Sequence, residues 1–161
     1  RIFTFFDEET INSMIAKHSE APHQRALQKE LAQDLTKLVH GEKALETALK
    51  TTDFLFGNGS LDFLTSLNSE EVLQVFEGIP QFTINRADYE TGYDVLTLLA
   101  DKTAIFPSKG EAKKMIAGGG VAINKEKITD ATTVYQISQL INNQFLVAQK
   151  GKKNYFLINI Q

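Results

Sequence analysis

The sequence predicts an α+β chain: an N-terminal helical bundle over residues 1–80, then a small α/β module over 81–161 that closes with a β-hairpin. Three observations predict it. Apolar residues recur at helical spacing through the first half. The last stretch, "QFLVAQKGKKNYFLINIQ", alternates apolar and polar positions around a KGKK turn. Between the two, "PSKGEAKKMIAGGGVAINKEKI" reads as a short lysine-bearing helix, a glycine run and a tight turn.

The elements follow in order. Asp7-Glu8-Glu9 suits the first turn of a helix, where carboxylates meet the positive end of the dipole. Ile11, Met14, Ile15 and His18 continue it. Pro22 is expected to open a second helix, with Leu27, Leu31, Leu35, Leu38 and Val39 on one side and Gly41 as its cap. A third runs over 42–56, with Leu45, Ala48, Leu49, Thr52, Leu55 and Phe56 expected on its buried face, and "GNGS" breaks it. Asn68 and Glu71 have capping-box spacing, and Gly78 and Pro80 end that helix.

In the second half, Phe82-Thr83-Ile84 is a strand and Tyr93–Ala100 a helix. Ser108 and Glu111 form a second capping box, so the next helix starts at Lys109. Ala112, Met115 and Ile116 share its core face. Lys113 and Lys114 straddle the opposite face, and Lys109 lies about 40° from Lys113 at 100° per residue. One glycine of Gly118-Gly119-Gly120 suffices as a cap, and the others let another backbone approach. Val121-Ala122-Ile123 is a strand, Asn124-Lys125 the turn, and Lys127-Ile128 the return. Lys150, Lys152 and Lys153 fall at the tip of the final hairpin.

The 161 residues suit one ordinary domain or two small ones, and 42% hydrophobic content supports a packed core. The chain has no cysteine, which excludes disulfides, thiolate metal sites and cysteine nucleophiles and fits a cytoplasmic protein. No apolar run reaches the ~20 residues that span a bilayer, and no signal peptide is visible. The opening "RIFTFF" lacks a start methionine and reads as a piece of a longer protein. His18, His23 and His40 have no second histidine or carboxylate at zinc-ligand spacing, so no metal site and no catalytic residue is expected.

Charge is uneven. Residues 1–81 carry seven Lys/Arg against thirteen Asp/Glu; residues 82–161 carry ten against seven. Nine of those bases and only three acids lie between Lys102 and Lys153. Such a basic stretch fits a polyanion partner, and it also fits a lysine-rich solvated surface. Lysine is a point-charge partner for phosphate, and glycine lets a sugar–phosphate backbone come close. The stretch therefore suits recognition of structured RNA by shape and charge. It is not an NTPase phosphate loop, because "AGGGVAIN" lacks Gly-x4-Gly-Lys-Ser/Thr and runs from helix to strand.

"FPSKGEAKKMIAGGGVAIN" resembles the S-four-like RNA-binding domain, through Ser108, Lys109, Glu111, Ala112, Ile116, Val121 and Asn124. Lys113 and Lys114 stand where that family has an arginine pair, and Lys125 where glycine is common. Upstream, "RALQKELAQDLTKLVHGEKALETALKTTDFLFG" resembles the helical anticodon-arm domain of bacterial tyrosyl-tRNA synthetases, and "VLQVFEGIPQFTI" their connection to the S-four-like domain. The resemblance implies a C-terminal tRNA-binding portion with tyrosine tRNA as partner and no membrane. With the charge and turn positions read above, the expected RNA contacts are Lys109, Lys113 and Lys114 first, then Lys125 and Lys127, then Lys150, Lys152 and Lys153, with Ser108 and Gly119 beside them. Neither His-Ile-Gly-His-like nor Lys-Met-Ser-Lys-Ser-like catalytic motifs occur. The portion is thus expected to be inactive alone, cofactor-free and monomeric. The parent enzyme would use ATP with magnesium and dimerise through its catalytic domain. The alternatives are an S-four-like RNA-binding protein of another kind, ribosome-associated or RNA-modifying, and a protein–protein adaptor docking through its helices.

Overall fold

In the computed structural model, residues 4–57 and 59–161 are described. Arg1–Phe3 of the opening run and Asn58 of "GNGS" lie outside them. Close packing divides the chain at Thr51/Thr52.

In the first unit, α1 (Glu8–Glu20) is capped by Asp7, whose carboxylate accepts from the Thr10 N–H at 2.7 Å. Pro22 opens only a single 3-10 turn, Pro22–Gln24. Arg25 then takes a left-handed backbone (φ 54°), which ends that turn, and α2 starts at Ala26 and runs to His40. Gly41 (φ 86°) closes α2 before α3 (Glu42–Phe56). The apolar stripe of α2 is only partly covered: Leu38 is 57% exposed and Val39 69%.

The second unit begins within the last turn of α3. There the buried residues are Phe54 and Leu55. Ala48, Leu49, Thr52 and Phe56, expected on the buried face of α3, are exposed. Two short helices follow, α4 (Asp62–Thr65) and α5 (Ser69–Val75), and the Asn68–Glu71 capping box is complete in both directions.

The sheet has the order β1-β7-β6-β3-β4. It is built from β1 (Gln81–Ile84), β3 (Val121–Ile123), β4 (Glu126–Lys127), β6 (Phe145–Lys150) and β7 (Asn154–Ile160). The closing hairpin β6–β7 forms as expected, and β1 adds to β7 in parallel, Ile84 opposite Ile160. A separate pair joins β2 (Tyr93–Asp94) to β5 (Val134–Tyr135). The helix expected from Tyr93 therefore starts at Val95, after a strand, and widens into a π-helical stretch at Thr97–Lys102. Asp94 accepts from the Thr97 N–H at 3.0 Å at its head.

Both faces of the sheet are covered. Leu146, Ala148, Ile158 and Ile160 pack with Tyr89, Leu98, Leu99 and Ile116 on one side. Phe145, Val147, Tyr155 and Leu157 pack with Phe54, Leu64, Val72 and Phe76 on the other. Each of the larger side chains contributes about 1.5–3 kcal/mol by leaving water. Asn142 ties the second layer down, its side-chain amide donating to the carbonyls of Leu64 (3.1 Å) and Leu67 (2.7 Å).

Candidate nucleic-acid interface

The lysine helix α6 (Lys109–Ala117) starts at Ser108, whose hydroxyl accepts from the Glu111 N–H at 3.2 Å. Only this half of the expected capping box forms. The Glu111 carboxylate accepts from Lys150 Nζ at 3.2 Å instead. Ala112 and Ile116 are buried while Lys113 and Lys114 stay exposed, as the wheel requires.

The glycine run has a division of labour. Gly119 (φ 66°) ends the helix, donating to the Ile116 carbonyl at 2.8 Å, and Gly120 donates to the Met115 carbonyl at 2.9 Å. These two bonds make a Schellman cap. At Gly120 a Cβ would lie 2.8 Å from Met115 Sδ. The Gly120 carbonyl accepts from the Gly151 N–H at 2.7 Å, so the tip of the β6–β7 hairpin is bonded to the glycine corner. The missing side chain at Gly120 leaves room for Met115, while at Gly119 and Gly151 a Cβ would meet nothing within 4 Å.

Asn124 (φ 50°) and Lys125 (φ 66°) are the two central residues of the β3–β4 turn, with Ile123 opposite Glu126. Two positive φ values match the primed turn that a right-twisted hairpin favours. Asn124 is fixed by its neighbours, its N–H donating to the Val147 carbonyl at 2.8 Å and its side-chain oxygen accepting from Val147 N–H at 3.0 Å.

A groove of about 550 Å³ lies along this corner. Its walls are Gly118–Val121, Ala122, Lys125, Lys127, Gln149, Gly151, Lys152, Tyr155 and the end of α3, Leu55–Gly57. Among the described residues, no carboxylate lines it. Three lysines and bare glycine backbone give it a positive character.

The ten expected contact residues separate by what holds them. Lys109 pairs with Asp101 at 2.8 Å and donates to Thr97 Oγ1 at 3.0 Å; the Asp101 bond raises its pKa. Lys125 donates to the Phe54 carbonyl and, at 3.1 Å, to the Tyr155 hydroxyl. Lys150 sits 4.2 Å over the Phe106 ring and donates to the Ile105 carbonyl at 3.3 Å as well as to Glu111. These three are engaged by the chain itself. Ser108 and Gly119 serve as the two caps of α6. Lys127 and Lys152 are exposed and line the groove. Lys153 is exposed beside a second, smaller depression with Gly78, Ile79 and Pro80. Lys113 borders a third, with Leu96 and residues 129–132. Among the described residues, Lys113, Lys114, Lys127, Lys152 and Lys153 have no salt bridge. Sequence reasoning missed Phe56, Gly57, Tyr155 and Gly151 as groove walls. The helical period had placed Phe56 inside, and only the tertiary position of the α3 end turns it outward.

Fold and groove together define a class: an α+β module with a lysine helix, a glycine corner and a two-residue hairpin on the edge of a sheet covered on both faces. The family model of the tyrosine–tRNA ligase SYY-like C-terminal domain matches residues 71–158. Tyrosine–tRNA ligases of Flavobacterium johnsoniae and Cytophaga hutchinsonii are 46% and 48% identical to it over 160 residues, 99% and 98% of this chain. That of Bacteroides fragilis is 44% identical over 158 residues, 98% of the chain. The chain spans 37% of the length of each of these relatives. It belongs to the family of SYY-like tyrosine–tRNA ligase C-terminal domains.

Proposed function

We propose that this chain is the tRNA-holding portion of a tyrosine–tRNA ligase. It grips tyrosine tRNA by its anticodon arm and long variable arm while a catalytic domain joins tyrosine to the tRNA. The observation that carries the reading is the carboxylate-free groove, where Lys127 and Lys152 flank the bonded glycine corner of Gly120 and Gly151. Such a surface suits phosphate and sugar rather than base edges, so it positions the RNA. Lys113 and Lys114 extend the positive charge along α6. The portion takes no cofactor and is monomeric; ATP, magnesium and the dimer contact belong to the catalytic domain. The setting is cytoplasmic. Among the described residues no helix is long and apolar enough to cross a membrane.

The test is a double charge reversal, Lys127→Glu with Lys152→Glu, titrated with tyrosine tRNA by anisotropy. Both side chains are exposed, so the fold is retained and binding falls at least tenfold. Unchanged affinity would remove the groove from the interface. A second reading, a protein-docking role for the helical unit, is favoured by the exposure of Leu38 and Val39. It predicts that Leu38→Ser with Val39→Ser abolishes a protein contact and leaves RNA affinity intact.

A further inference from the structure

Phe56 is 70% exposed at the end of α3, whereas Phe54, two residues earlier, and Phe76, at the end of α5, are fully buried and Phe63 in α4 is partly buried. It borders two depressions at once. One is the 550 Å³ groove with Lys127, Lys152 and the glycine corner; the other, of about 200 Å³, holds Pro80, Lys153 and Asn154. The ring is thus a ridge at the hairpin tip, with Lys152 on one side and Lys153 on the other.

An aromatic face open to solvent between cations has the composition of a stacking platform. Every base has a π-face, and its flanking phosphates need positive partners on either side. A base within a duplex has both faces covered by its neighbours, so it offers nothing to the ring. An unpaired base, splayed from its strand, offers a whole face. We propose that Phe56 stacks an unpaired nucleotide of bound RNA, its flanking phosphates drawn to Lys152 and Lys153. The proposal rests on the RNA-binding reading above and narrows its ligand to RNA with an unstacked nucleotide.

The chain has no tryptophan, so Phe56→Trp places a single reporter at the ridge. Short single-stranded oligouridine and a blunt RNA duplex are titrated against it, with anisotropy of the labelled RNA followed in parallel. The oligouridine should quench the indole, and the duplex should bind without quenching. Phe56→Ala should weaken oligouridine binding roughly tenfold or more, and Phe56→Leu should not rescue it, because stacking needs the ring. Since the side chain is exposed, neither variant should lower Tm. Oligouridine that binds Phe56→Ala or Phe56→Leu as well as the parent chain would overturn the stacking role and leave the RNA interface standing. Failure of the parent chain to bind oligouridine, duplex and tyrosine tRNA alike at low salt would overturn the RNA reading itself, and the stacking role with it.

Discussion

The Lys125 ammonium donates to the main-chain carbonyl of Phe54, in the last turn of α3. It also lies 4.5 Å from the centre of the Phe54 ring and 5.0 Å from that of Tyr155. The carbonyl is one of the four that a helix leaves unpaired at its end, and a cation there meets the negative end of the dipole. This contact explains a lysine at φ 66°, where glycine would be unstrained. Lys125→Ala keeps the strained backbone and loses the cation, so it should destabilise by about 2–3 kcal/mol. Lys125→Gly loses the cation but recovers about 1 kcal/mol of backbone strain. Denaturant titration should therefore rank stability Lys above Gly above Ala. A glycine variant at least as stable as the parent would mean that the contact contributes nothing net.

Lys109 and the Lys113/Lys114 pair share a helix but should behave differently. Lys109→Ala gives up an exposed pair with Asp101, for which about 0–1 kcal/mol is expected, and should change RNA affinity little. Lys113→Glu with Lys114→Glu should leave Tm unchanged and abolish tRNA binding. Equal loss of affinity in the two variants would show that Lys109 leaves Asp101 to meet RNA.

Gly119 and Gly120 are distinguishable by alanine. At Gly119 a Cβ meets nothing within 4 Å, so the cost is the left-handed backbone alone, about 1–2 kcal/mol. At Gly120 the obstacle is the flexible end of Met115, which can move. Gly119→Ala should lower Tm more than Gly120→Ala, and the reverse order would contradict the cap assignment.

Alkali should unfold the sheet module through its tyrosines. Burial pushes the Tyr135 hydroxyl up to about 12 and raises that of Tyr89, whose O–H donates to the Tyr135 carbonyl at 2.8 Å. The folded state keeps these protons where the unfolded chain sheds them. Stability is thus full below the ordinary value of 10.0 and falls as pH rises from there toward 12. Ultraviolet titration should show part of the phenolate signal appearing only as circular dichroism is lost. Smooth ionisation of all four tyrosines in the folded chain would contradict it.

Local signals in the sequence were reliable where one residue decides one bond. Asn68 and Ser108 cap the helices that their spacing marks, although Glu111 turns to Lys150, Asp7 sits as a cap just before the first turn expected of it, and the hairpin turns at KGKK. Signals failed where a nearby residue leaves the helical backbone or where a distant segment decides. Pro22 fits a helix start, yet Arg25 breaks the backbone three residues later. Tyr93 fits a helix until Tyr135 pairs with it as a strand. For the candidate site, charge and glycine pointed to residues of which Gly119, Lys125, Lys127 and Lys152 line one groove. Which lysines are spent internally depended on Asp101, Phe54 and Phe106, none of which helical spacing connects to them.

The most direct measurement is a titration of the purified chain with tyrosine tRNA and with a tRNA of short variable arm, each at low and at physiological salt. Tighter binding of tyrosine tRNA is predicted, with log affinity falling against log salt at a slope of roughly −2 to −3 for three or four neutralised phosphates. Equal, salt-insensitive binding of both, or none at low salt, would contradict it.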